Sequence, residues 1–254
     1  MSFWHADYQQ IVEALLATGK PVGGVADFLR AVDKNRRIIL RHDVDRLAGK
    51  AVDLARLEAG LGVCSTYYFR ASASGSFSRT AIGAIAALGH ETGYHYEDLS
   101  FCKGNKGAAQ ERFFRNLDTL RRLAPCTTVS MHGAPLSKFH NQALLTVDDL
   151  GRARLLGDAV TGIEPFLPYY LTDTGGTWLA QANLRDRVGK AWPVEALPTA
   201  MPAFRKFVAE ASRPLYISTH PERWSKSFPG YMRSKTVDLL ANTVKAALEC
   251  LGPV

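Results

Sequence analysis

The chain has 254 residues, of which 46% are hydrophobic and 22% charged, and its formal net charge at pH 7 is +7. This composition is ordinary for a soluble globular protein, and the length is enough for one large α/β domain or two small ones. Lysine and arginine are spread along the chain rather than gathered in one stripe, which argues against a nucleic-acid partner but is compatible with acidic or phosphate-bearing substrates. No domain boundary is evident, so a single domain over residues 1–254 is predicted.

The cysteines and the N-terminus indicate the compartment. Cys64, Cys102, Cys126 and Cys250 do not have the C-x-x-C spacing of a metal site and are expected to be reduced thiols. The first residues lack the basic start and apolar core of a signal peptide, and no run approaches the ~18 apolar residues of a membrane span. A cytoplasmic protein with no membrane span is therefore predicted.

Strands and helices are predicted to alternate along the first half of the chain. An N-terminal amphipathic helix over about residues 7–18 ends before Gly19, which is typical of a glycine C-cap. Apolar runs with β-branched residues indicate strands at 36–40, 63–69, 91–95 and 127–131. Helical periodicity between them indicates helices at 49–60, 78–88 and 107–123.

The second half repeats this alternation less regularly. Strands are predicted at 152–156, 167–172, 192–194 and 214–219, and helices at 202–212 and 235–251. Strands that alternate with helices at this spacing predict a parallel α/β sheet, and about six to eight strands over this length favour a barrel. A doubly wound open sheet is the alternative.

The segment Arg41–Asp45 is the strongest candidate for a functional site. It follows the predicted strand 36–40, and α/β folds place their sites at the carboxyl ends of strands. In an extended segment alternate residues share a face, so Asp43 and Asp45 point the same way. Two like charges at close range are costly unless a cation or a proton separates them, which makes a metal site the first hypothesis. A pair of solvated loop aspartates is the alternative.

Polar side chains recur at the ends of the other predicted strands. The residues in these positions, beside the two aspartates, are His95, His132, Asp173 and His220. In a barrel all strand ends meet on one face, so residues far apart in sequence converge there. A lone histidine is more often packed or at the surface than a ligand, but the recurrence at several strand ends favours a shared site.

The order of these segments resembles the motifs of the polysaccharide deacetylases, the NodB-homology family. The segments that carry the resemblance are Leu40–Asp45, Gly89–His95, Ser130–Pro135, Asp173–Trp178 and Ile217–Pro221. The Gly-His-Glu-x-Gly-x-His segment and the closing Thr-His-Pro are the most specific parts. The resemblance implies a distorted (β/α) barrel of about seven parallel strands. It also implies a divalent metal, usually zinc, and hydrolysis of N- or O-acetyl groups on sugars.

Carried over residue by residue, the resemblance implies a general base and two metal ligands. Asp43 looks like the first motif aspartate, the general base. The family's second aspartate is adjacent and binds the metal; here Val44 intervenes in an HDVD sequence, and Asp45 is the nearest equivalent. His95 looks like the first metal histidine, whereas Leu99 stands where the family has a second one.

This departure leaves the third metal ligand open. Zinc in a catalytic site needs about three protein ligands and an open position for water. His132, His90 and Glu97 are the candidates, and His132 is preferred because it ends a neighbouring predicted strand before a Gly-Ala-Pro turn. Alternatively, His132 orients the base in place of an arginine that the family has nearby. His90 is also interpretable as a structural hydrogen-bonding residue, and Glu97 as an outer partner or a surface residue.

The remaining site predictions concern the leaving group and the substrate. His220 looks like the last motif histidine, which protonates the leaving amine, and a capped strand end is the alternative. Asp173, Trp178 and Trp224 are predicted to form a substrate wall, because aromatic faces stack on sugar rings and carboxylates accept hydrogen bonds from hydroxyls. A position in the core or at its rim is the alternative for the two tryptophans. Arg70 follows a strand end and is predicted to hold a phosphate or carboxylate, with a solvated side chain as the alternative.

Together these features predict a metal-dependent hydrolase that removes an acyl group, first of all acetyl, from a sugar or glycan precursor. The expected partner is an acylated sugar, a glycan precursor or a small acylated metabolite, and no nucleic acid. A deformylase or another C–N amide hydrolase is the alternative within hydrolases. A non-catalytic carbohydrate-binding barrel that has lost the metal is the alternative outside them, and Leu99 is the feature that favours it.

Overall fold

The computed structural model describes residues 2–134, 137–178 and 200–250. Its centre is an 8-stranded sheet in which every pairing is parallel. The strands are β1 Val22–Gly23, β2 Ile38–Val44, β3 Thr66–Phe69, β4 Glu91–Tyr96, β5 Thr128–Met131, β6 Gly157–Asp158, β7 Tyr169–Thr172 and β8 Leu215–Thr219.

Helices connect the strands and cover the sheet. In chain order they are α1 His5–Leu16, α2 Val25–Arg30, α3 Ala48–Gly60, α4 Arg79–Ala87, α5 Asp98–Phe101, α6 Lys106–Arg121, α7 Val147–Arg152, α8 Met201–Glu210 and α9 Phe228–Cys250. Short 3₁₀ turns lie at Asn141–Leu144, Glu164–Phe166, Thr174–Gly176 and Pro221–Arg223. Parallel strands need crossover connections of this kind, because a tight turn cannot join them.

The strand order is β6-β5-β4-β3-β2-β8-β7, with β1 paired to β2 beside that path. Within the described ranges no pairing joins β6 to β7, so the seven-strand path is an open, distorted barrel. The predicted parallel α/β class is confirmed. Every residue of β2 is buried, since β3 and β8 flank it and helices cover it, and this central strand carries Asp43.

The core divides into two clusters that β2 separates. One contains Ile39, Tyr68 and Phe113 among its buried members, and the other contains Ile38, Leu40 and the buried residues of α1 and α8. Neighbouring β2 residues therefore contribute to different clusters, as the alternation of side chains along a strand requires. The same alternation sends Asp43 and His42 to opposite faces.

The sequence prediction was wrong at one strand and incomplete at several helices. Residues 152–156 are not a strand. Thr146 and Asp149 form a reciprocal capping box that begins α7 at Val147, and this helix extends to Arg152. The strand that follows, β6, contains only Gly157 and Asp158. Helix α9 begins at Phe228 rather than near residue 235, and α2 was not predicted. The predicted strand 192–194 lies outside the described residues.

No helix within residues 2–134, 137–178 and 200–250 has the length and apolar character needed to cross a bilayer. The single domain over residues 1–254 and the cytoplasmic location stay predictions. The N-terminal helix predicted at about 7–18 corresponds to α1, and the C-terminal helix predicted at about 235–251 corresponds to the later part of α9.

Gly93 in β4 is a position where the packing leaves no room for a side chain. A Cβ there would overlap the ring of Tyr68 and lie 2.9 Å from the carbonyl oxygen of Thr128. Tyr68 is fully buried, and its hydroxyl is hydrogen-bonded to Thr128 Oγ1 at 2.7 Å, so the ring is not free to move. Gly93→Ala is expected to lower the free energy of unfolding by about 1–3 kcal/mol, as overpacking of a core does. Urea unfolding followed by circular dichroism measures the change.

Gly83 provides the matched control for this substitution. It lies inside α4, and no atom outside its own helix lies within 4 Å of an added Cβ. Gly83→Ala is therefore expected to raise the free energy of unfolding by about 0.5–1 kcal/mol, because alanine is the better helix former. A Gly93→Ala protein that unfolds at the wild-type urea concentration would contradict the close packing of β4 on Tyr68.

Candidate metal centre and active site

Three residues with metal-ligating atoms meet at the carboxyl edge of the sheet. Asp45, His95 and His132 each offer one ligand atom, and these atoms all lie within 4.8 Å of one another. Asp45 follows β2, His95 lies in β4 and His132 follows β5, so the three come from strands that are neighbours or next neighbours. The convergence follows from the parallel sheet, since all its strands end on one side.

The Asp45 carboxylate is the centre of this group. Its Oδ1 atom lies 3.7 Å from His95 Nε2 and 3.8 Å from His132 Nε2. That oxygen is buried and has no hydrogen-bond partner, although a buried polar atom without a partner is costly. A divalent cation bound by the three atoms would satisfy it. The residues present therefore fit a metal.

The outer nitrogens of both histidines favour the ligand form of the rings. His95 Nδ1 is 3.1 Å from the carbonyl oxygen of Ser130, and His132 Nδ1 is 2.9 Å from a carboxylate oxygen of Glu97. Both partners only accept, so each Nδ1 donates, and Nε2 is the ring nitrogen that faces Asp45 and is available to a metal. Burial lowers the pKa of His95 to about 4, despite the nearby aspartates, so its ring is neutral at pH 7.

Glu97 and Arg70 form a second layer behind His132. Arg70 Nη2 donates to both carboxylate oxygens of Glu97, at 2.6 and 2.7 Å, and its Nη1 is 3.9 Å from Asp45 Oδ1. Burial alone would raise the pKa of Glu97, but hydrogen bonds from His132 and Arg70 lower it to about 2. Among the described residues Arg70 Nε has no hydrogen-bond partner and the side chain is 29% exposed, so the role of Arg70 in holding a substrate phosphate or carboxylate stays a prediction.

Asp43 is fully buried beside the ligand cluster and is held by Arg41 of the same strand. Arg41 donates from Nε to Oδ1 and from Nη2 to Oδ2, both at 2.8 Å. Burial acts to raise the pKa of Asp43, but the charge and hydrogen bonds of Arg41, with His95 and His220, lower it below the usual value. Its Oδ2 atom is 3.9 Å from His95 Nε2. An ionised carboxylate is thus fixed next to the metal ligands.

His220 lies at the end of β8 and is oriented by Asp173. His220 Nδ1 donates to Asp173 Oδ1 at 2.6 Å, and its backbone N–H donates to the same carboxylate. Burial and Arg223 act to lower the pKa of His220, but Asp173 outweighs both and raises it. A proton on Nε2 is therefore retained to higher pH than in an ordinary histidine.

The predicted substrate wall of Asp173, Trp178 and Trp224 is corrected. Trp224 is fully buried and donates from Nε1 to Asp173 at 3.0 Å, and Trp178 packs at 6.2 Å between ring centroids on Phe3. Asp173 has no exposed surface and uses its oxygens on His220 and Trp224. Buried side chains offer little face to a sugar; Asp173 orients His220, Trp224 is bonded to Asp173, and Trp178 packs on Phe3 and Trp224.

Two other sequence candidates lie away from the cluster. His90 accepts at Nδ1 from the Ser65 backbone N–H at 3.1 Å and donates from Nε2 to the carbonyl oxygen of Ala55 at 2.9 Å. Both ring nitrogens are thereby used in holding α3 against the start of β4. Leu99 is buried in the core on α5, so the position where the family has a second histidine carries no ligand atom.

Sequence reasoning placed Arg41 in the candidate segment but missed its role in holding Asp43, and it missed Glu222 altogether. Arg41 had a usable signal, because a residue two positions before Asp43 in a strand shares its face. Glu222 is buried, its Oε2 atom has no hydrogen-bond partner, and burial and the charge of Asp45 raise its pKa. Nothing in the sequence distinguishes Glu222 from a surface glutamate, since it follows Pro221 in a loop.

Comparison with known proteins gives a distant likeness. No family model and no curated protein matches the chain. Among solved structures, the chain is similar to a CE4 esterase of Streptococcus mutans, with 14% sequence identity and a TM-score of 0.45. The superposition covers 94% of this chain and 92% of the esterase. The chemistry of the site therefore rests on its own residues.

Metal content tests the cluster directly. Asp45→Ala, His95→Ala and His132→Ala are each expected to lose the metal, because two remaining ligands do not hold a divalent ion tightly. Elemental analysis after reconstitution with Zn²⁺ and desalting measures the metal per chain. The wild type is expected to keep about one equivalent, as a three-ligand site with an open position does.

His5 supplies a histidine control, since it lies on α1 outside the cluster. His5→Ala is expected to keep the wild-type metal content. Loss of metal from the Asp45 and His95 variants but not from His132→Ala would remove His132 from the ligands and return it to an orienting role. A wild-type chain that retains no ion after reconstitution would contradict the metal centre as a whole.

Proposed function

We propose that this chain is a metal-dependent hydrolase that removes an N- or O-acyl group, first of all acetyl, from a sugar or glycan precursor. The observation that carries the proposal is the buried, unpartnered Asp45 oxygen facing His95 and His132, next to an ionised Asp43. Arg70 Nη1, at 3.9 Å from this oxygen, is beyond hydrogen-bond distance and does not satisfy it. A carboxylate base beside an open metal site is the arrangement that hydrolysis of an amide or ester needs.

The donor set suits zinc. Two imidazole nitrogens and one carboxylate oxygen form a common ligand set of catalytic zinc, which keeps a fourth position open. A divalent cation bound there would polarise the acyl carbonyl and lower the pKa of water. The outer contacts to Ser130 and Glu97 fix the two rings for this task.

The chain's own residues supply the proton transfers. Asp43 is ionised and accepts the proton of the attacking water as a new bond forms to the acyl carbon. Arg41 keeps the Asp43 carboxylate in one orientation through its two hydrogen bonds. His220 donates the proton on Nε2 to the leaving nitrogen or oxygen as its bond to the acyl carbon breaks, and Asp173 holds the ring in the required tautomer.

The alternatives differ in what they require of the site. A deformylase or another C–N amide hydrolase would use the same base, acid and ligands, and would differ only in its acyl pocket. A non-catalytic carbohydrate-binding barrel was favoured by Leu99 alone. The His132 nitrogen near Asp45 weighs against that alternative, because it provides the third ligand atom that Leu99 lacks.

Asp43→Asn tests the base. The variant is expected to retain the metal but to lose about 100-fold or more in kcat, because an amide does not accept the proton of water. Acetate release from N-acetylglucosamine oligomers and from O-acetylated xylan measures the activity of the zinc-loaded protein, and elemental analysis confirms loading.

Asp118 is exposed on α6 and serves as the matched control. Asp118→Asn is expected to keep both metal and rate. An Asp43→Asn protein as active as the wild type would remove Asp43 from the chemistry. If the loaded wild type binds these glycans but releases no acyl group from any amide or ester, the binding barrel becomes the better interpretation.

Asp173→Asn tests the assignment of His220 as the acid. Since only protonated His220 donates, the rate falls as pH rises through its pKa, and the Asp173 charge sets that pKa above the ordinary value. Removing the charge is expected to move the alkaline limb of the kcat profile to lower pH. Asp238→Asn, which alters a carboxylate bonded to Arg223 rather than to His220, is expected to leave the limb in place. An unmoved limb in Asp173→Asn would exclude His220 as the titrating acid.

A further inference from the structure

A cavity of about 530 Å³ opens beside the candidate metal centre. His132 and Glu97 contribute to its lining, together with Lys103, Lys138 and Phe139. A pocket of this volume is within the range that holds a small-molecule ligand. The cavity shares His132 with the candidate ligand cluster, so a molecule bound in it lies next to that cluster.

Buried hydrogen bonds build the walls of the cavity. The Asn141 side chain is almost fully buried; it accepts from the Ser100 backbone N–H at 2.9 Å and donates to the His132 carbonyl oxygen at 2.8 Å. The Ser100 hydroxyl donates to the Phe139 carbonyl oxygen at 3.1 Å. A Cβ at Gly104 would overlap the Phe139 ring, so the turn after α5 packs tightly on that residue. The cavity is therefore preformed.

The side chains that line this cavity carry a net positive charge. In the part of the chain that the structure describes, neither Lys103 nor Lys138 forms an ion pair with a carboxylate, and the Lys138 ammonium lies 5.3 Å from the Phe139 ring centroid. Glu97 is the one acidic side chain in the lining, and it is already bonded to Arg70 and His132. Two lysine charges thus remain for a ligand.

We propose that this cavity binds an anionic group, a phosphate or a carboxylate, carried by the acylated substrate. The proposal rests on the proposed function, because it assigns the substrate class of that site: acylated sugars that bear a negative charge, such as sugar phosphates. Lysine ammonium groups bind phosphate as point charges, and the positive net charge of the chain favours the approach of such molecules.

Binding to the metal-free protein tests the proposal without depending on catalysis. Isothermal titration of chelator-treated protein compares N-acetylglucosamine 1-phosphate with N-acetylmuramic acid, which carries a carboxylate, and with neutral N-acetylglucosamine. At least one charged sugar is expected to bind about tenfold more tightly than the neutral sugar. The charged sugar with the higher affinity identifies the anionic group, phosphate or carboxylate, that the cavity prefers. The difference is expected to shrink as salt screens the lysines.

Lys103→Met/Lys138→Met keeps an unbranched side chain of nearly the same length at both positions and removes their charge. This double variant is expected to lose most of the tenfold preference, whereas Lys103→Arg/Lys138→Arg retains it. Lys106→Met is the matched control, since Lys106 is exposed on the neighbouring α6 but does not line the cavity, and it is expected to bind as the wild type does.

Three results would overturn the proposal. One is equal binding of charged and neutral sugars by the wild type. The second is a preference that survives in the Met double variant, which would place the anion elsewhere. The third, from a parallel titration of zinc-loaded protein, is a preference seen only with zinc present, which would place the anion on the metal. If the loaded enzyme releases no acyl group but the lysine-dependent preference is found, the proposed reaction fails while the anion site stands.

Discussion

The Asp43 carboxylate is buried at the centre of the sheet, and it stays ionised there because Arg41 of the same strand holds it through two hydrogen bonds. An isolated carboxylate in such a position would become protonated. The pair is neutral as a unit, so β2 accommodates it among apolar neighbours. Asp45, two residues further along the chain, differs from Asp43: its Oδ1 atom makes no hydrogen bond, and two imidazole nitrogens lie 3.7 and 3.8 Å from it.

The other face of β2 is fixed by a separate polar network. His42 lies 2.9 Å from Glu58 of α3, which also accepts from the hydroxyls of Tyr8, Ser65 and Tyr67. Burial acts to raise the pKa of Glu58, but His42 and the hydrogen bonds lower it to about 2. The network joins α1, α3 and β2 behind the site. A strand anchored on one face holds the residues of its opposite face in place, which is what preorganised proton transfer requires.

The sequence allowed prediction of the site's location better than of its details. Parallel strands place their carboxyl ends on one edge, so Asp45, His95 and His132 were expected to meet from their positions at strand ends, with His90 and Glu97 left open as alternatives to His132. How far a side chain is buried does not follow from that rule. Trp224 follows a strand end and yet is fully buried, because Phe3 and Tyr8 from the N-terminus pack on it. These residues are more than two hundred positions apart in the chain, and hydrophobic periodicity does not reveal contacts over such a separation.

The position of His132 bears on how the absence of a histidine at Leu99 is interpreted. β4 and β5 are adjacent, with His95 opposite Ser130, so the residue two places after Ser130 lies beside the turn that follows His95. The backbone N–H of His132 donates to the carbonyl oxygen of Tyr96 at 2.8 Å, which fixes that proximity. An imidazole from the end of β5 thus lies beside Asp45 and His95, whereas Leu99 lies on α5 and packs in the core. Leu99 is therefore weak evidence for the loss of metal binding, because another strand end already brings a ligand-type atom to this cluster.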